Sequence, residues 1–277
     1  MTRDAVRAYY AQLGEREWDR LTHPTDGAVE FAVNCRLLAA HLPPAGRVLD
    51  LGGGPGRYTI WLAQHGYSVT LADLSPNLLA IARERIAQAG VGDRVEAVVE
   101  ADACDLSRWA DGSFAAVICL GPFYHLPDPV DRDRAARELA RVLQPDGIAA
   151  VGLMPRLAFL RRTLAIADER AHLLKREFIT RLLERGVFRN DIPDRLTVGY
   201  GVVPEDVGPF FAQFGLESVA LAASEGISVG IAEALADIEA TAPELYERAL
   251  DLIVQTASDP SILGMANHLL YIGRKPS

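Results

Sequence analysis

The stretch VLDLGGGPGRYTIWLA, from Val48 to Ala63, constrains this chain more than any other. An apolar run ends in an acid, Asp50. Glycines follow at Gly52, Gly53, Gly54 and Gly56, and a helical pattern begins at Arg57. That order describes a strand delivering its carboxyl end into a tight loop against a helix N-terminus. Glycines let such a loop take positive φ and let a ligand approach the backbone. In open α/β sheets this is where nucleotide-like cofactors bind. The dinucleotide fingerprint asks for G-x-G-x-x-G, and Arg57 stands where its third glycine belongs. No G-x-x-x-x-G-K-[ST] is present, so a nucleoside triphosphate loop is not indicated.

At 277 residues and 49% hydrophobic, the chain suits one generous α/β domain or a core with an added cap. A formal net charge of −9 disfavours a nucleic-acid partner, because an acidic surface repels phosphate backbones. Cys35, Cys104 and Cys119 show no metal-ligand spacing and fit reduced thiols in a cytoplasmic protein. No apolar signal-peptide core opens the sequence and no run is long enough to cross a bilayer, so the expectation is a soluble protein without a membrane partner.

Residues 1–45 read as helices with aromatic faces. From 46 to 155, strands alternate with helices, the strands at Arg47–Leu51, Ser68–Ala72, Arg94–Val99, Ala115–Leu120 and Gly147–Leu153. Ser75-Pro76 is an N-cap with proline at the first helical position, and Gly90 ends that helix. The rhythm implies a parallel, doubly wound sheet with right-handed crossovers. Residues 156–203 read as helical, punctuated by Gly186 and Pro193. Residues 204–277 return to the sheet through strands at Leu216–Ala222 and Met265–Gly273, with a helical insertion at 231–257 split near Pro243.

The D-x-G-x-G-x-G spacing of Asp50, Gly52, Gly54 and Gly56 resembles the first motif of the class I S-adenosylmethionine (SAM)-dependent methyltransferases, and the next landmarks arrive in order. The resemblance implies a Rossmann-like sheet of order 3-2-1-4-5-7-6 with the last strand antiparallel, plus helical cap insertions. It implies SAM as cofactor; the sequence shows no ordered His/Asp/Glu ligand set, so no metal is expected. Asp73, ending the second strand about 20 residues past the glycine loop, stands where an acid accepts both hydroxyls of an unphosphorylated ribose. NAD also has such a ribose, so Asp73 alone does not separate the two. By resemblance Leu74 packs on adenine, while Asp102 and the Ala103 N–H read its amino group and a ring nitrogen, with Asp105 competing for that assignment. Gly52 and Gly54 present backbone to the methionine end, Asp50 orients the loop, and the Leu120 carbonyl faces the ammonium. Tyr10, on an N-terminal helix, closes over the pocket, as Tyr9 could.

The fourth strand leads into Leu120-Gly121-Pro122-Phe123-Tyr124-His125. Nucleobase-amine methyltransferases carry [DN]-P-P-[YF] there, and this chain lacks the leading Asp or Asn. His125 is the general-base candidate, since an imidazole takes a proton near neutral pH, and Tyr124 shares the role. Arg156, Tyr200 and His268 are candidates for touching substrate. The expected function is methyl transfer to a small molecule, foremost at oxygen. Transfer to nitrogen or carbon, and a non-catalytic SAM-binding protein, stand as alternatives.

Overall fold

The computed structural model describes residues 3–21, 26–192 and 195–277. Three helices come first, α1 (Arg3–Leu13), α2 (Glu15–Asp19) and α3 (Asp26–His41). The alternating core follows: β1 (Arg47–Leu51), α4 (Arg57–Gln64), β2 (Ser68–Asp73), α5 (Pro76–Gln88), β3 (Val95–Glu100), β4 (Phe114–Cys119), α6 (Pro129–Val142) and β5 (Leu143–Pro155). Next come α7 (Arg156–Ala165), α8 (Arg176–Arg185), β6 (Val187–Arg189), β7 (Val198–Val202), α9 (Pro204–Ala212) and β8 (Glu217–Ala223). The chain closes with α10 (Ala232–Thr241), α11 (Pro243–Thr256), α12 (Pro260–Leu263) and β9 (Leu269–Arg274).

The main sheet runs β3-β2-β1-β4-β5-β9-β8. Strands β1 to β5 are parallel, and β9 lies antiparallel between β5 and β8. With the short cap strands set aside, this is the expected 3-2-1-4-5-7-6 order. Period-two alternation sorts the strand residues onto two faces. Leu49, Val117, Val151 and Tyr271 pack with α6 and Phe211 of α9 on one side. Val48, Ile118, Ala150 and Ile272 pack with Val33 and Leu38 of α3, Leu62 of α4 and Ile253 of α11 on the other. Each fully buried side chain of this size contributes about 1.5–3 kcal/mol. Burial on both faces explains why these strands read as continuous apolar runs.

Local signals set the helix starts. The Ser75 hydroxyl accepts from the Leu78 N–H ahead of Pro76, and the Asp128 carboxylate accepts from the Val130 N–H at 2.9 Å ahead of Pro129. The expected helical stretch 156–203 is corrected in one part. Its second half carries the β6–β7 hairpin, and β7 joins the tip of β5 at Met154–Pro155. Gly199 and Gly201 let β7 press so close that an added Cβ would meet the Phe159 ring at 2.4 Å and the Arg156 Cα at 2.6 Å. Pro193, read as punctuation, lies outside the described residues.

Candidate functional site

One cavity opens at the carboxyl ends of β1, β2 and β4, beneath the N-terminal helices. Asp50, Gly52, Gly54, Asp73, Leu74, Asp102, Ala103 and Leu120 line it, and so do Tyr10, Tyr124 and His125. The floor is the glycine loop. Gly52 has φ +72°, and a Cβ there would meet the Pro122 ring at 2.5 Å, so the β1 loop and the β4 loop touch backbone to ring. Gly56 does not line the cavity. It opens α4 and packs against Leu71 and Ala82, so its place is at the helix–sheet contact.

Asp73 is buried at the tip of β2. Its Oδ2 accepts from the Gly54 N–H at 2.9 Å and its Oδ1 from the Ser75 N–H at 2.7 Å. Burial pushes its pKa up to about 6, against the pull of those two N–H groups. Each oxygen keeps a lone pair for a ligand hydroxyl. Asp50 accepts from the Thr59 hydroxyl at 2.6 Å, and burial pushes its pKa up to about 7. Thr59 was missed in the sequence because a threonine one turn into a helix carries no motif. Asp102 accepts from the Cys104 N–H at 2.9 Å on the cavity wall, whereas Asp105 turns to the Ser107 N–H at 3.1 Å.

At the other end, the Tyr10 hydroxyl lies 2.6 Å from His125 Nε2. Burial lowers the His125 pKa to about 4, while the Val198 backbone acts weakly the other way. The imidazole is therefore neutral, and its Nδ1 is buried without a hydrogen-bond partner. Tyr124 is buried beside it, its hydroxyl held well above the usual phenol range by desolvation. Tyr9 turns instead into the apolar cluster of Phe159, Phe178 and Phe188.

The remaining substrate candidates lie apart from this wall. The Arg156 Nη1 donates to the Leu183 carbonyl at 2.6 Å, fastening α7 to α8. Tyr200 lines a second cavity behind Phe123, with the Arg132 guanidinium 3.5 Å above its ring. His268 packs behind Tyr124, its Nδ1 2.9 Å from Glu225 and 3.4 Å from Glu30. Those carboxylates raise the His268 pKa although burial opposes them. Glu30 also accepts from Arg20 at 3.0 Å, and Arg20 donates to Glu17 at 3.0 Å. Glu30, Glu225 and His268 offer three metal-ligand atoms within reach of one another, with the His268 Nδ1 2.9 Å from Glu225. This cluster joins segments far apart in sequence and left no signal there.

Residues 48–147 match the methyltransferase domain family. Over 180 residues the chain is 33% identical to a ubiquinone biosynthesis O-methyltransferase of Xanthomonas axonopodis pv. citri, a match covering 64% of this chain and 69% of that protein. The chain belongs to the class I SAM-dependent methyltransferases. It is also 42% identical over 106 residues to the methyltransferase GfsG of Streptomyces halstedii, spanning 38% of this chain and 36% of that one. Among solved structures, a SAM-dependent methyltransferase of Methanosarcina mazei superposes with TM-score 0.59 at 17% identity, over 87% of this chain and 97% of that one. The 1,6-didemethyltoxoflavin-N1-methyltransferase of Burkholderia thailandensis, solved with S-adenosylhomocysteine, gives 0.59 at 15% identity over 98% and 88%. Those two likenesses concern the fold.

SAM is the cofactor of this methyltransferase, and the cavity suits it. Carboxylates rather than free cations border Leu74 and Ala103, as an unphosphorylated nucleoside requires, and Arg7 there is paired with Glu100. Among the described residues no helix is long and apolar enough to cross a membrane.

Proposed function

We propose that this methyltransferase acts on a small molecule and transfers the methyl group to an oxygen. The observation that carries the reading is the Tyr10–His125 pair, 2.6 Å apart, on the wall of the same cavity as Asp73 and Asp102. The likeness to O-methyltransferases of ubiquinone biosynthesis supports it. In this reading Asp73 accepts the ribose hydroxyls, Leu74 packs on the adenine, and Asp102 with the Ala103 N–H reads its edge. Gly52, Gly54 and the Leu120 carbonyl hold the amino-acid end, with Asp50 and Thr59 fixing the loop.

SAM supplies an activated sulfonium methyl group that an aligned nucleophile takes in line. The protein's part is to align the acceptor, exclude water and move one proton. As the acceptor oxygen attacks, its proton passes to Tyr10 Oη and Tyr10's own proton passes to His125 Nε2. Burial keeps the imidazole unprotonated beforehand, so it is ready to receive. Positive charge then moves from sulfur to the imidazole instead of being created in a low-dielectric site. Arg7 donates to the Leu74 carbonyl at 3.1 Å and pairs with Glu100, and so holds α1 over the cavity. A concave cavity beneath the N-terminal helices favours a small acceptor over a polymer. The cap segments 1–45 and 156–203, the 46–155 core and the 204–277 return to the sheet are proposed as the working parts.

The test is calorimetric titration with SAM, S-adenosylhomocysteine and NAD, followed by methyl-transfer assays on phenols and on amines of matching shape. Binding of both adenosyl thio ligands without NAD, and transfer to phenols, is the expected result. Transfer confined to amines would overturn the oxygen assignment.

A further inference from the structure

Three groups from distant parts of the chain meet behind Tyr124: Glu30 of α3, Glu225 in the turn after β8, and His268 just before β9. One ligand atom from each lies within 4.8 Å of the others. The His268 Nδ1 is 2.9 Å from Glu225 Oε1 and 3.4 Å from Glu30 Oε2. Those separations are the edges of a small coordination shell. Donors about 2.0–2.1 Å from a cation stand about 2.9 Å apart at right angles and about 3.4 Å apart in a tetrahedron.

Each carboxylate is also held from outside the cluster. Glu225 Oε2 accepts from the backbone N–H groups of Asn267 at 3.2 Å and His268 at 3.1 Å, which leaves Oε1 facing the imidazole. Glu30 accepts from Arg20 at 3.0 Å. Hydrogen bonds of this kind orient carboxylate ligands in metal centres. Charge points the same way. Glu225 and Glu30 are 1% and 5% exposed. Of the arginines that line the cavity, Arg20 alone pairs with either of them among the described residues, and it is shared with Glu17. Arg7 pairs with Glu100, and Arg57 lies over Trp18 and Phe31 with its Nε buried without a partner. Excess negative charge is costly to bury, and a divalent cation offsets it. The cluster has a way in, since Glu30 lines the cavity and 21% of the His268 side chain is exposed.

We infer that Glu30, Glu225 and His268 bind one divalent transition-metal cation of the Zn²⁺ or Co²⁺ class, which ties α3 to the antiparallel edge of the sheet. One imidazole nitrogen with two carboxylate oxygens suits these ions better than Mg²⁺ or Ca²⁺, which take shells of oxygen. The inference does not rest on which atom the enzyme methylates.

The test is titration of the chelator-treated full chain with Co²⁺, Zn²⁺ and Mg²⁺. Wild type is expected to take up one equivalent of Co²⁺ with a d–d absorption band, to exchange it for Zn²⁺, and to show no comparable uptake of Mg²⁺. Glu30→Gln, Glu225→Gln and His268→Gln should each weaken Co²⁺ binding on the order of 10- to 100-fold or more. Stoichiometric Zn²⁺ should raise the melting temperature of wild type and not of the variants. If a variant fails to fold, anomalous diffraction from Zn²⁺-soaked wild-type crystals decides, because the ion must sit between these three residues. No uptake by wild type, uptake that all three variants retain, or an ion found elsewhere would overturn the inference and leave the cluster as a hydrogen-bonded contact between α3 and the sheet edge.

Discussion

The hydroxyl of Tyr10 and the Nε2 of His125 lie 2.6 Å apart, joining α1 to the loop after β4 inside one cavity. If this pair moves the acceptor's proton, Tyr10→Phe and His125→Gln should each leave S-adenosylhomocysteine affinity within about twofold and lower turnover about 10²- to 10⁴-fold. Calorimetry and single-turnover assays read the two effects separately. Unchanged turnover in His125→Gln would remove the proton-transfer role.

The depressed His125 pKa fixes the shape of the pH profile. With the imidazole neutral above about 4, turnover at saturating cofactor should be level across the range where an ordinary histidine titrates. The acid limb should lie near 4. A limb near 6.5 in the wild type, abolished by His125→Gln, would show that the ring is solvated during turnover.

Cofactor affinity should carry a different pH dependence. Accepting both ribose hydroxyls requires the Asp73 carboxylate, whose pKa in the ligand-free protein is about 6. S-adenosylhomocysteine binding should therefore fall about tenfold per pH unit below that value. Asp73→Asn should remove the slope and lower affinity at neutral pH on the order of tenfold or more.

Gly52 and Gly54 should differ sharply in tolerance. Both have positive φ, so alanine at either costs roughly 1–2 kcal/mol. At Gly52 the new Cβ also meets the Pro122 ring at 2.5 Å, adding about 1–3 kcal/mol of overpacking. At Gly54 the nearest atom, on Leu78, is 3.7 Å away. Urea unfolding of the two variants should rank Gly52→Ala well below Gly54→Ala, and equal midpoints would contradict the tight contact between the β1 and β4 loops.

His268 should stabilise the fold at low pH. Its folded pKa is raised by Glu30 and Glu225, so its contribution is complete below the unfolded value near 6.5 and is lost as pH climbs through the higher folded value. The melting-temperature gap between wild type and His268→Gln should shrink as pH rises. A constant gap would mean that the shared N–H acts as a neutral hydrogen bond.

The strand Arg47–Leu51 was legible to the residue because a parallel strand buried on both faces is a continuous apolar run, and its ending acid and glycines punctuate it. The β6–β7 hairpin was not legible. Its first strand has three residues, and Gly199 and Gly201 suit a strand only because Phe159 and the Arg156 backbone press against them. Arg156 itself read as a substrate contact because its position after β5 is near the site in sequence, while packing turns its side chain to Leu183.

By itself, the sequence determined the alternating α/β core, the glycine loop and the acids that end β1 and β2, and Asp102 just past β3. All of these follow from strand ends and loops within single βα units, where spacing along the chain is spacing in space. Tertiary structure alone decided which arginine is left unpaired in the cavity, that Tyr10 meets His125, and that Glu30, Glu225 and His268 meet in one cluster. Those pairings join helices and loops far apart in the chain, and local periodicity carries no record of which side chains a folded sheet will bring together.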